Sequence, residues 1–214
     1  MTKSQRIFFS HYLEELFPDA KAELDFTNHF ELIVAVVLSA QTTDIAVNKV
    51  TKGLFHKYPT PYDLMHADVN DVMSLIQTIG LYKNKAKNII GLAKRLVEDY
   101  EGLVPNDRKA LESLPGVGRK TANVVLSNAF DVPALAVDTH ILRISKRLGL
   151  ADDTDDAFAV EMKLNKQFPK ELWHKLHHQL IFFGRYHCLA RKPKCEACKM
   201  QTICPYFKKI NSTQ

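Results

Sequence analysis

Leu111-Glu-Ser-Leu-Pro-Gly-Val-Gly-Arg-Lys-Thr-Ala-Asn-Val-Val-Leu126 is the stretch whose reading decides the fold. Asp107 is placed to cap a short helix over 107–114, and apolar spacing starts a second helix over 119–130. Between them, Pro115-Gly-Val-Gly118 makes a tight turn. Glycines at alternate positions let the backbone take positive φ and approach another molecule closely. The turn opens into a helix N-terminus, where unpaired N–H groups and the helix dipole favour an anion. A phosphodiester suits such a place, and contacts of that kind read backbone rather than base sequence. The same residues also make an ordinary helix–helix connection, so the turn alone does not assign a function.

Lys120 falls in the first turn of the second helix. The helix dipole disfavours a cation there, and partial burial would disfavour its charge further. Both leave more free amine, the form that attacks a sugar carbon or forms a Schiff base. Most lysines are solvated surface groups, so the chemistry needs a partner. Asp138, in Leu135-Ala-Val-Asp-Thr-His-Ile141, is one. It is placed to cap the following helix, and a capping carboxylate can also stabilise positive charge on a sugar as a base departs. Asp44 is an alternative carboxylate that reads more simply as a helix cap.

Working outward from the hairpin, helical periodicity dominates and no alternating strand signal stands out. The pattern predicts a first amphipathic helix closed by Pro18 and a nearly all-apolar helix over 30–40. A periodic segment over 44–58 follows, ending at the turn Pro59-Thr-Pro61. Helices are further predicted over 68–79 and 82–100, from Asp138 to about 148, and over 154–168 and 172–187. The result is an all-α chain of roughly ten helices.

The last decisive stretch holds every cysteine: Cys188, Cys195, Cys198 and Cys204, spaced C-x6-C-x2-C-x5-C, with none in the preceding 187 residues. Such clustering points to one four-ligand metal centre. Zinc sites usually pair two short C-x2–4-C knuckles, and only one is present. An iron–sulfur cubane tolerates uneven loops and is favoured over zinc. Two disulfides are the remaining alternative. The N-terminus has no apolar run long enough for a signal peptide, so a reducing cytosol is expected, where structural disulfides are rare.

The chain has 214 residues, 46% hydrophobic and 25% charged, with a formal net charge of +5. Those values fit a globular protein, and no apolar run is long enough to span a bilayer. Basic clusters at 83–87, 143–147, 185–194 and 208–209 permit a polyanionic partner without demanding one.

Together these residues resemble the endonuclease III family of DNA glycosylases, within the helix-hairpin-helix superfamily. The resemblance rests on Leu38-Ser-Ala-Gln-Thr-Thr-Asp44, Ile79-Gly-Leu-Tyr82, Leu114-Pro-Gly-Val-Gly-Arg-Lys-Thr-Ala122, Ala136-Val-Asp-Thr-His140 and the four cysteines. It implies two helical domains flanking a DNA-binding cleft. One is a six-helix domain over 22–132 carrying the hairpin (107–130). The other combines 1–21 with 133–214 and holds a [4Fe–4S] cluster in the loop 188–204, on Cys188, Cys195, Cys198 and Cys204. The resemblance implies Lys120 as nucleophile and Asp138 as its carboxylate partner. Gln41 and Leu81 would wedge into the duplex. Gly116 and Gly118 would offer amides to a phosphate, directly or through a bound monovalent cation. Arg119, His140, Arg191, Lys192 and Lys194 complete the expected DNA contacts, the last three on a loop whose shape the metal fixes.

The implied activity is excision of oxidised pyrimidines from double-stranded DNA, with cleavage 3′ of the abasic site by β-elimination. A cytoplasmic, nucleoid-associated monomer with no membrane partner is expected. Two rivals differ. An adenine-specific mismatch glycosylase lacks the hairpin lysine and carries a catalytic glutamate shortly before the segment aligned with Gln41; here 33–38 contains no carboxylate. A non-catalytic DNA-binding module would explain the glycines but not Lys120 and Asp138 together. Ser127 and Asp131 depart from the family's pattern, where Asn and Gly are more typical.

Overall fold

The computed structural model describes residues 1–212. Among them there is no strand, and the helices run α1 (Lys3–Leu16), α2 (His29–Leu38), α3 (Asp44–Lys57), α4 (Pro61–Met65), α5 (Val69–Ile76), α6 (Tyr82–Tyr100), α7 (Arg108–Glu112), α8 (Arg119–Ala129), α9 (Thr139–Arg147), α10 (Ala157–Gln167), α11 (Trp173–Phe182) and α12 (Pro205–Asn211). The chain divides into two compact units, Glu23–Val132 and a discontinuous one made of Met1–Ala22 and the residues from Pro133 onward.

Polar side chains start most helices. Thr2 and Gln5 form a capping box on α1, and Asn28, Asp68, Asp107, Asp138 and Asp156 each accept an amide at a helix start. Several boundaries differ from the sequence reading. Thr43, not Asp44, caps α3, and Asp44 is its first residue, where a carboxylate favours the dipole. Pro61 does not end a turn but begins α4, capped by Thr60. The unit Glu23–Val132 therefore holds seven helices where six were expected. The segment 172–187 is helical as expected, α11 running without a break into a π turn at Phe183–His187, with a 3₁₀ turn at Lys170–Leu172 before it. Asp131 takes φ 52° just past α8, the conformation for which glycine is the usual choice.

The Glu23–Val132 unit is organised around α2, whose residues 32–38 are all buried, as expected of a helix apolar on nearly every side. Ile76, Ile89, Leu92, Leu96, Leu111 and Val125 pack into the same core. In the other unit Phe9, Leu13, Ile141, Ile144, Leu180 and Phe183 form the centre, with Phe9 and Phe183 edge-to-face at 5.5 Å.

Candidate functional site

In the hairpin the two glycines are not equivalent. Gly116 has φ +79°, and a Cβ there would sit 3.0 Å from Val37 Cγ1 and 3.1 Å from Asn88 Cβ. Glycine is favoured there on both conformational and packing grounds. Gly118, expected to share that conformation, has φ −100° and ψ −179°, ordinary extended backbone, with nothing within 4 Å of the Cβ position. What Gly118 leaves is open space at the start of α8. No side chain caps that helix, and its first turn contains no acidic residue. Lys120 lies in this first turn and is exposed, not partly buried. Arg119, beside it, is half-buried.

Helix α6 connects the hairpin to the two expected wedge residues. Asn88 and Gly91 face the hairpin turn, where a Cβ on Gly91 would meet Pro115 Cγ at 3.3 Å. Leu81 is the N-cap residue of α6, with φ 60° and 57% exposure. Gln41 is exposed with φ 55°. A large apolar side chain and an amide side chain thus both sit on left-handed backbone, a conformation that non-glycine residues adopt at a cost. The structure gathers Gln41, Leu81, Gly116, Gly118 and Lys120 in one unit.

Asp138, His140, the four cysteines and the three loop cations belong to the other unit. Asp138 caps α9, accepting the Ile141 amide at 2.8 Å, and is half-buried. His140 is half-buried beside it. Burial lowers its pKa against the opposing pull of Asp138, which favours a neutral imidazole over a cation. Its Nδ1 lies 3.3 Å from Arg143 Nη2, which also donates to the Gly184 and Cys188 carbonyls at 2.9 and 3.1 Å.

The four cysteines line one cavity with Phe183, Tyr206 and other side chains, some 350 Å³ of empty space counting its open mouth. Among the described residues, no three His, Cys, Asp or Glu side chains converge closely enough to hold one metal ion. All four thiols are free, and burial raises the pKa of Cys195, Cys198 and Cys204. Arg147 braces the start of the loop, donating to Cys188 Sγ at 3.5 Å and to the Leu189 and Ala190 carbonyls at 2.7 and 2.9 Å, over the Tyr206 ring at 4.2 Å. Arg143 and Arg147, both in the basic cluster at 143–147, turn toward backbone carbonyls. Arg191, Lys192 and Lys194 are exposed, and Lys192 takes φ 50°.

Residues 34–170 match the model of the HhH-GPD superfamily of base excision DNA repair proteins. The chain is 55% identical over 190 residues to endonuclease III of Bacillus subtilis (strain 168), covering 89% of this chain and 87% of that one. It is 47% identical over 211 residues to endonuclease III of Escherichia coli (strain K12), covering 99% and 100%. A solved structure of a trapped endonuclease III–DNA covalent intermediate, an estranged-adenine complex, superposes with a TM-score of 0.95 at 52% identity, over 99% of each chain.

Proposed function

Since the chain belongs to the endonuclease III family of the HhH-GPD base excision repair superfamily, we propose that it is a DNA glycosylase that excises oxidised pyrimidines and then cuts 3′ of the abasic site. The observation that carries the covalent chemistry is Lys120: an exposed amine in the uncapped first turn of α8, in a chain 52% identical to one trapped covalently on DNA.

The proposed reaction begins with the free amine of Lys120. It attacks C1′, forming a C–N bond as the glycosidic bond breaks and the damaged base leaves. Asp138 opposes the positive charge that develops on the sugar. Ring opening gives an imine between Lys120 and C1′. Loss of a C2′ proton then expels the 3′ phosphate, which is β-elimination. The lesion must first leave the helical stack, at a cost that is smaller for damaged bases. Leu81 occupies stacking space during that step, and Gln41 fills the gap and hydrogen-bonds the orphaned base. The amides around Gly116 and Gly118 hold a backbone phosphate, with Arg119 and His140 as further contacts.

The donor set fits the expected [4Fe–4S] cluster. Four soft sulfur donors surround one cavity without closing on a point. Cys188, Cys195, Cys198 and Cys204 are the residues that would hold such a cluster through their thiolates. When bound, the cluster fixes the loop carrying Arg191, Lys192 and Lys194, so those cations meet phosphates with little entropy left to lose. The adenine-specific alternative finds no support at 33–38, where every side chain is apolar and buried.

The test is borohydride trapping on a duplex with one thymine glycol. Wild type should form a covalent adduct and nick the strand. Lys120→Gln should form none, and its excision should fall by at least about a thousandfold. No adduct and no cleavage from folded, cluster-loaded protein would leave the hairpin as a binding device only.

A further inference from the structure

Lys85 is a buried ammonium that the reaction above does not use. It is 4% exposed and heads the stripe Lys85, Ile89, Leu92, Leu96 by which α6 enters the core. Burial lowers its pKa. A charge held this way is costly, and an apolar side chain of the same length would fill the space at less cost.

Its contacts suggest what the charge does. Lys85 Nζ donates to Thr42 Oγ1 at 2.7 Å, and Thr42 directly follows Gln41. The Lys85 amide donates to the Leu81 carbonyl at 3.0 Å. Within the Gln41 loop the Thr42 amide donates to the Ser39 carbonyl at 3.0 Å and the Thr42 hydroxyl to the Ala40 carbonyl at 3.4 Å. The Lys85 side chain therefore ties the loop bearing Gln41 to the first turn of α6, whose N-cap residue is Leu81, and both Gln41 and Leu81 sit on left-handed backbone that surrounding structure must maintain.

We infer that Lys85 is a positioning residue for duplex distortion: through Thr42 it locks the Gln41 loop to the start of α6, so that Gln41 and Leu81 meet DNA as one preset wedge. This rests on the reading that these two side chains enter the duplex. The role lies upstream of the chemistry at Lys120, in the step that opens the stack and fills the gap.

The test compares single-turnover excision by wild type, Lys85→Met, Thr42→Val and Thr42→Ser on two duplexes. In one, thymine glycol faces adenine; in the other it faces an abasic spacer, which leaves no orphaned base to satisfy. Lys85→Met and Thr42→Val should slow excision from the first duplex about tenfold or more and from the second no more than about twofold. Thr42→Ser, which keeps the acceptor, should retain wild-type rates on both. Wild-type rates for Lys85→Met on the paired duplex would overturn the inference. So would equal losses on both duplexes, with or without a lowered melting temperature, since that pattern belongs to a merely structural lysine. Wild type inactive on both duplexes would instead remove the glycosylase reading, and this inference with it.

Discussion

The hairpin turn at 114–118 and the cysteine loop at 188–204 are both irregular stretches proposed to meet DNA, and they are held by opposite means. The turn is clamped from outside. Leu114 and Val117 are buried, Gly116 fits against Val37 and Asn88, and Pro115 packs on Gly91. The loop anchors its end in the core through buried Met200 and Cys204, while its middle, 189–197, holds no buried residue. Guanidinium bonds from Arg143 and Arg147 to carbonyls hold its start, and its four thiols surround a cavity. A loop shaped by a core keeps its form without a ligand, whereas a loop shaped by ligation depends on what it binds.

The most forceful way to break this comparison is to remove the ligation. Stripping the proposed iron–sulfur cluster, or replacing Cys198 by Ala, should raise amide exchange across 188–204 and α12 by a factor corresponding to several kcal/mol of local stability. Exchange at 114–118 should stay at its wild-type rate. Equal acceleration in both regions would show that one cooperative structure holds them.

Acid offers a milder separation. The Glu23–Val132 unit carries only exposed histidines, His29, His56 and His66. The other unit buries His177, His178 and His187. Burial pushes His178 down to about 3, with His177 and His174 adding repulsion, and its Nε2 has no hydrogen-bond partner. A folded-state pKa below the unfolded value of about 6.5 means that the unfolded chain binds the proton first. The contribution of His178 is thus intact above about pH 6.5 and lost as pH falls toward 3, at a cost on the order of a few kcal/mol. Urea melts across that range should show the slope, and His178→Leu should flatten it. A slope unchanged by the substitution would assign the acid sensitivity to other groups.

Within the hairpin the comparison sharpens to two residues. Gly116→Ala should cost about 1–3 kcal/mol through its positive φ and the close approach of Val37 and Asn88. Gly118→Ala should change stability by less than about 0.5 kcal/mol yet weaken binding to abasic-site duplex, because its Cβ would occupy the open space before α8. Equal thermal losses for the two would refute that division of labour.

What the sequence made legible was local. The hairpin, the Asp138 cap, the all-apolar α2 and the cysteine spacing each depend on residues within a few turns of one another. Facing was harder to read. Lys85 sits in a run of lysines that looks like a basic surface, although its place four residues before Ile89, on the stripe that continues to Leu92 and Leu96, was a usable sign of burial. Where Arg143 and Arg147 point was likewise not legible, because their acceptors are backbone carbonyls some forty residues away, 45 and 42 in two of the bonds. Gly118 misled for a different reason: a glycine kept for open space and one kept for a left-handed turn are the same letter.

Helix α6 sets a final constraint, on length rather than composition. Its N-cap residue is Leu81, its first turns carry Lys85 to the Gln41 loop, and Asn88 and Gly91 meet the hairpin. Each added or deleted residue turns a helix by about 100° and shifts it about 1.5 Å. One insertion between 82 and 88 would therefore swing Leu81 away from the side on which the hairpin lies, while leaving every individual side chain intact.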